Sequence, residues 1–243
     1  MAVNLGASID FYGGRDPRSI ALYPLSDAAR YLRLPRSTLK DWLVGRPYST
    51  STEVREWPPI IEPADASAGS IRLSFKNLVE AHVLSTLRGR NVSVPAIRQA
   101  VTFIREQCGV ANPFADVDAL SDAKHVYVKA LGGLWNASTS VKAFENVLER
   151  YLERIDRDEH GIARRLYPFT GERDERSPKL VTFDPLRRFG RPIVGPGVET
   201  WVVHSRWRAG ESSAAIAEDL DLNGDEVDEA LRFEQTAHAR RAA

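Results

Sequence analysis

One cysteine, one methionine and no apolar run approaching eighteen residues mark what this 243-residue chain does without. The lone thiol, Cys108, closes no internal disulfide and builds no thiolate zinc site. At the end of an apolar helical pattern, it reads as a packing residue. The short apolar runs exclude a membrane-spanning helix, and no basic-then-apolar leader is seen, so a cytoplasmic location with no membrane partner is expected. The five histidines, His82, His125, His160, His204 and His238, show no His-x3-His or His-Glu-x2-His spacing, which argues against a local metal site. Neither a Gly-rich phosphate loop nor a Gly-x-Ser-x-Gly elbow is present. Asp156, Asp158 and Glu159 sit together at a charged helix end and read as a solvated face rather than a nuclease cluster. A non-catalytic protein with no metal and no cofactor is therefore expected. Net charge is absent too, since 33 Lys and Arg balance 33 Asp and Glu. Arginine supplies 27 of those cations and lysine 6, and arginine is the better residue for bidentate phosphate and guanine contacts.

The balance hides an uneven distribution. In "LYPLSDAARYLRLPRSTLKDWLVG" (Leu22 to Gly45), Ser26 is an N-cap candidate for a short helix, Asp27 to Leu32, with Ala28, Ala29 and Leu32 facing inward. Pro35 discourages helix at Leu34, and a second helix opens near Arg36 or Ser37 and runs to Val44, buried along Leu39, Trp42 and Leu43 and stopped by Gly45. Two such helices joined by a tight turn make a helix-turn-helix. Arg36, Ser37, Thr38, Lys40 and Asp41 remain outside, gathered near the end of the second helix where a recognition helix meets DNA. Downstream, "REWPPIIEPADASAGSIRLSF" (Arg55 to Phe75) reads as a hairpin, with Ile60-Ile61, a Pro/Ala/Ser/Gly turn, then alternating Ile71, Leu73 and Phe75. Such a wing would let Arg55 and Arg72 reach phosphate on either side of the recognition helix.

The middle of the chain reads as helical packing. Phe75, Leu78, Val79, Val83 and Leu87 recur at helical spacing, as do Ile97, Ala100, Val101 and Ile104, with a turn near Asn91. "KHVYVKALGGLWNAS" alternates, turns at Gly132-Gly133 and returns through Leu134-Trp135, which predicts a second hairpin. "TSVKAFENVLERYLERIDRD" predicts the longest amphipathic helix, with Val141, Phe144, Val147, Leu148, Tyr151, Leu152 and Ile155 on one side. The charged stretch Glu172 to Pro178 is the best linker candidate.

Towards the end, helices are expected over Trp201 to Ala209, Ser213 to Leu220 and from about Asp225, with Ala215, Ile216, Leu220, Leu222, Val227, Ala230, Leu231 and Phe233 as core. This is again helix-turn-helix geometry, but Glu211 to Gln235 holds nine carboxylates and one arginine, which repels phosphate. A protein-contact module is the expectation there. Before it, Gly190, Pro192, Pro196 and Gly197 shape a stiff arm beside Arg187, Arg188 and Arg191, read either as an interdomain elbow or as a partner-binding arm.

Several of these stretches resemble known families. "YPLSDAARYLRLPRSTLKDWLVG" resembles a MerR-type winged helix-turn-helix. "FGRPIVGPGVETWVV", "RWRAGESSAAIAEDLDL" and "DEVDEALRFE" are similar to a bacterial antitoxin domain of formerly unknown function. With "RLSFKNLVEAHVLSTLR" between them, the whole resembles the larger VapB-type antitoxins that accompany PIN-like ribonuclease toxins. The resemblance implies a mainly α protein with small β-hairpins. Residues 1–75 would form a winged helix-turn-helix, 76–175 a helical middle with a hairpin and a candidate dimer seam, and 176–243 a three-helix antitoxin-type domain. It further implies a homodimer that binds operator DNA through Arg36, Ser37, Thr38, Lys40, Arg55 and Arg72, represses its own operon and holds a cognate PIN-like toxin inactive. Arg187, Arg188, Arg191 and the tail residues Arg240 and Arg241 are candidates for contacting that toxin. The rival reading is a MerR-type regulator whose Tyr127, Trp135 and Phe144 line a small-molecule pocket.

Overall fold

The computed structural model describes residues 12–49, 53–65, 70–87, 94–117, 124–132, 141–170 and 177–239. It is mainly helical with two-stranded antiparallel ladders, and no helix among the described residues is long and apolar enough to cross a membrane. The described residues fall into two compact units, one within 19–163 and the other made of 12–18 with those from 164 to 239.

The first unit opens with β1 (Tyr23–Pro24) and α1 (Leu25–Tyr31). The helix starts earlier than the Ser26 cap predicts. The first N–H of α1, on Leu25, donates to the Ile71 carbonyl at 3.1 Å, so a neighbouring backbone does the work of a cap and Ser26 is left exposed in the first turn. The helix ends with Leu34 N–H on the Ala29 carbonyl at 2.9 Å and Arg33 in the left-handed region at φ 55°. Pro35 then leads directly into α2 (Arg36–Val44), whose buried stripe is Leu39, Trp42 and Leu43 and whose stop is Gly45 at φ 79°, as the sequence predicts.

The wing lies earlier than predicted. β2 (Arg46–Ser49) pairs with β3 (Val54–Trp57) in the register Arg46↔Trp57, Pro47↔Glu56, Tyr48↔Arg55 and Ser49↔Val54. Ile60 and Ile61 are not a strand: both backbone N–H groups donate to the Trp42 carbonyl, at 2.7 and 2.9 Å, and both side chains are buried. β4 (Arg72–Leu73) pairs with β1, and Phe75 opens a helix instead of continuing the alternation.

That helix, α3 (Phe75–Leu84), begins with a Ser74/Asn77 capping box and is buried nearly all round. The Asn77 side chain also accepts from the Ala64 N–H and donates to the Glu62 carbonyl, fixing the preceding loop. Around α3 lie α4 (Val94–Cys108), α5 (Pro113–Asp116), α6 (Lys124–Gly132) and α7 (Val141–Leu152). The second predicted hairpin is thus corrected to helix α6. It packs on α4, and Tyr127 is buried edge-on to Phe114 at 4.9 Å with its hydroxyl on the Pro113 carbonyl at 2.6 Å. This tertiary anchoring overrides the local alternation. The amphipathic helix also stops sooner than predicted, and Ile155 begins β5 (Ile155–Arg157). The predicted turn at Asn91 lies outside the described residues, and so do residues 172–176 of the predicted linker Glu172 to Pro178.

In the second unit, β6 (Ala163–Leu166) meets Phe183 through Leu166 by reciprocal backbone bonds of 3.1 and 2.8 Å. Thr182 bonds Ile193 in the same manner, and β7 (Ile193–Val194) pairs with β8 (Val198–Glu199). Three helices follow: α8 (Thr200–Arg208), α9 (Ser213–Asp219) and α10 (Gly224–Ala239). Phe183 packs edge-on to Phe233 at 6.1 Å within a core that includes Ile193, Val203, Ile216, Val227 and Ala230. Of the residues expected in this core, Ala215 is exposed, because the short α9 turns only Ile216 fully inward. Two carboxylates are buried with partners: Glu234 accepts from the Thr200 hydroxyl at 2.6 Å, and Glu229 accepts from the Thr170 hydroxyl and from Arg232.

Candidate nucleic-acid interface

With Leu39, Trp42 and Leu43 turned inward, helical geometry sends Arg36, Ser37 and Lys40 outward: all three are exposed, and Thr38 is half-buried. Pro35 offers no side-chain cap, so the first N–H groups of α2 have no acceptor within the helix and point outward beside these side chains. Positive side chains, a hydroxyl and free amides at one helix end are what phosphate and base edges require. The β2–β3 ribbon follows α2 immediately, with the Arg55 backbone opposite Tyr48; the Arg55 side chain lies outside the described residues.

Arg72 does not share that ribbon. It lies in β4 opposite Pro24, and its backbone exchanges hydrogen bonds with Asp65 at 2.9 and 3.2 Å. The single predicted hairpin carrying both arginines is therefore two separate ladders. Pro47 explains why the ribbon was missed, since proline normally demotes a strand; in a two-stranded ribbon every strand is an edge and tolerates it.

The arm arginines have defined jobs inside the second unit. Arg187 Nη2 donates to the Pro196 carbonyl, Arg188 Nε donates to the Gly197 carbonyl at 3.1 Å, and Arg191 Nη1 pairs with Glu199 at 3.0 Å. They staple the turn at 187–190 to the β7–β8 hairpin. Gly197 is essential to that staple: its φ is +119°, and a Cβ there would stand 2.6 Å from Arg187 Nη2. Gly197→Ala is expected to cost about 1–3 kcal/mol through backbone strain and displacement of the guanidinium, read as a lowered urea midpoint. An unchanged midpoint would place Arg187 elsewhere. Arg240 and Arg241 lie outside the described residues, as do Trp135 and the Phe144 side chain. Tyr127, the remaining aromatic of the expected sensor pocket, is fully buried and hydrogen-bonded as packing.

Sequence reasoning missed Glu80, a carboxyl in the apolar run of α3. It is fully buried and accepts from the Phe114 and Ala115 N–H groups at 2.7 and 3.2 Å, while its second oxygen has no hydrogen-bond partner. Burial pushes its pKa up to about 8, against the lowering pull of Arg105 and of the two N–H bonds and with a further raising effect from Asp116.

A family model described as "Putative DNA-binding HTH domain" matches residues 21–101, which contain α1, α2, the ribbon and α3, and one described as "Protein of unknown function (DUF433)" matches residues 181–233. The chain is 27% identical over 229 residues to the "Putative antitoxin VapB45" of Mycobacterium tuberculosis, covering 87% of this chain and 93% of that protein. The chain resembles a VapB-type antitoxin with a helix-turn-helix N-terminus. Its fold is also similar to the crystal structure of Rv2018 from Mycobacterium tuberculosis, with a TM-score of 0.66 at 26% identity over 87% of this chain and 98% of that one. An antitoxin relative and a DNA-binding domain are not catalytic, in agreement with the non-enzyme expected from the sequence.

Proposed function

We propose that this chain is the antitoxin of a type II toxin–antitoxin pair, acting in the cytoplasm. As a homodimer it binds operator DNA to repress its own operon, and it neutralises a PIN-like ribonuclease toxin by direct contact. Labour is divided along the chain: residues 1–75 hold DNA, 76–175 join two copies, and 176–243 meet the toxin. The observation that carries this reading is the coupling of an exposed Arg36/Ser37/Lys40 edge on α2 to a near full-length likeness to an antitoxin. Arg36, Ser37, Thr38 and Lys40 face the major groove in this reading, while Arg55 and Arg72 touch phosphate. Arg187, Arg188 and Arg191 serve the toxin side by shaping the arm.

Two measurements test it. The tagged full chain, recovered from its native host, is expected to carry a small nuclease-fold polypeptide in stoichiometric amount, identified by mass. Recovery of the chain alone, or with DNA only, rejects the antitoxin reading in favour of a stand-alone regulator. On the DNA side, Arg36→Ala combined with Lys40→Ala is expected to weaken binding to the chain's own promoter and to lower the salt slope by about one unit per lost phosphate contact. Unchanged affinity and slope would remove α2 from the interface.

A further inference from the structure

Val44 closes α2 with its side chain in water. Its neighbours Trp42, Leu43 and Gly45 are buried, whereas Val44 is 51% exposed, and it is the one large apolar side chain so exposed among the described residues of 19–163. Folding gains little from it. Valine is a poorer helix former than alanine or lysine, because its branched Cβ loses rotamer freedom against the preceding turn, and an exposed site returns little hydrophobic burial. The position is also fixed. The Trp42 carbonyl accepts both the Ile60 and Ile61 N–H groups, and the Leu39, Trp42 and Leu43 stripe seats the inner face, so the last turn of α2 is held and its outer side stays outside.

Ser37, Lys40 and Val44 share that outer side. They are spaced i, i+3, i+7, which puts them within about 60° of one another around the helix, and all three are exposed. The ridge they make is about 10 Å long at 1.5 Å per residue, so both its ends fit inside one major groove, roughly 12 Å wide. It begins at the Arg36, Ser37 and Lys40 edge and lies within the DNA-binding helix-turn-helix domain. A valine that enters the groove beside those residues needs an apolar group to touch. Phosphates and the hydrogen-bonding atoms of base edges are polar; the groove presents one alkyl group, the C5 methyl of thymine. A second copy of the chain is disfavoured as the occupant, because the ridge sets one apolar residue among a serine and a lysine, whereas the centre of a dimer seam is contiguous and depleted of charge.

We propose that Val44 is a specificity residue of the recognition helix, reading the C5 methyl of a thymine in the operator. The proposal rests on the DNA-binding reading above and adds a base to it. Contacts to phosphate hold any sequence, whereas Val44 favours A·T over G·C pairs at its own position.

The test titrates the full chain onto its own promoter at one fixed salt concentration, in duplexes that carry deoxyuridine in place of one thymine at a time. Uracil keeps the base pair and loses only the methyl. With the wild-type chain, at least one replacement is expected to weaken Kd by roughly fourfold, the effect of one methyl group no longer taken out of water. Val44→Ala is expected to weaken binding to the unmodified promoter by a similar factor and to lose its response to that same replacement, so that the two losses do not add. Val44→Ile is expected to keep both. The salt slope should be the same for all three chains, because no phosphate contact is removed. The thermal midpoint of free Val44→Ala should hold, because alanine is the better helix former at an exposed site. Failure of the underlying reading shows separately, as a wild-type chain that does not bind its promoter, and it removes this proposal as well. A wild-type chain that binds, but shares its response to every replacement with Val44→Ala, overturns the thymine contact alone. So does a Val44→Ala chain of unchanged promoter affinity whose sedimentation reports a lost oligomer, which assigns the residue to a second copy.

Discussion

Glu80→Gln is expected to flatten the dependence of stability on pH. The Glu80 carboxyl ionises near 4.5 in the unfolded chain and only near about 8 in the fold, where burial disfavours the charge. Between those values the native state holds a proton that the unfolded state has released, so stability falls as pH rises, by up to roughly 1.4 kcal/mol per pH unit from this group. The contribution is complete below the unfolded pKa and gone once pH passes the folded one. Glutamine keeps an oxygen for the Phe114 and Ala115 N–H groups and cannot ionise. Its amide, like the protonated acid, leaves donors facing the position where Oε2 has no partner, so the cost of that position is similar in both. Urea unfolding at pH 5.5, 7 and 8.5 checks this: the wild type should weaken steadily and the variant should gain most at pH 8.5. Parallel curves would mean that Glu80 enters the fold already charged.

Trp42→Ala carries the second large effect. Trp42 is buried on the inner face of α2, and removing so large an aromatic typically costs about 3–5 kcal/mol. Domains of this size are stable by only about 5–15 kcal/mol in total. The variant should therefore lose much of the folded helix-turn-helix near 37 °C, together with promoter binding, while Trp42→Phe should retain most of both. Circular dichroism against temperature and a promoter titration report the two losses. A Trp42→Ala chain within 1 kcal/mol of the wild type would show that α2 is not seated by this side chain.

The α1–α2 pair was legible because its signals are local and agree with one another: Pro35 before the helix, Gly45 after it, and Leu39, Trp42 and Leu43 on one stripe. The three C-terminal helices were legible for the same reason. The wing was misplaced because Ile60 and Ile61 look like a strand while their burial comes from the Trp42 carbonyl, a long-range bond with no pattern in sequence. Helix α6 was misread because nine residues support both periods until Tyr127 finds Pro113 and Phe114. Glu80 left one trace, a carboxyl inside "FKNLVEAHVL", and its partners lie 34 and 35 positions away.

The bifurcated bond from Ile60 and Ile61 to the Trp42 carbonyl has a practical side. It returns the chain to the end of α2 just after β3, so the β2–β3 ribbon leaves and re-enters the domain at one fixed point. Chain length between Ser49 and Val54 is then uncoupled from the seat of α2, and lengthening such a closed segment costs little, about 0.6 kcal/mol per doubling. Five or six glycines and serines, a small epitope or a tetracysteine dye-binding tag inserted between Ser49 and Val54 are therefore expected to leave α2 seated, with the thermal midpoint of the chain little changed.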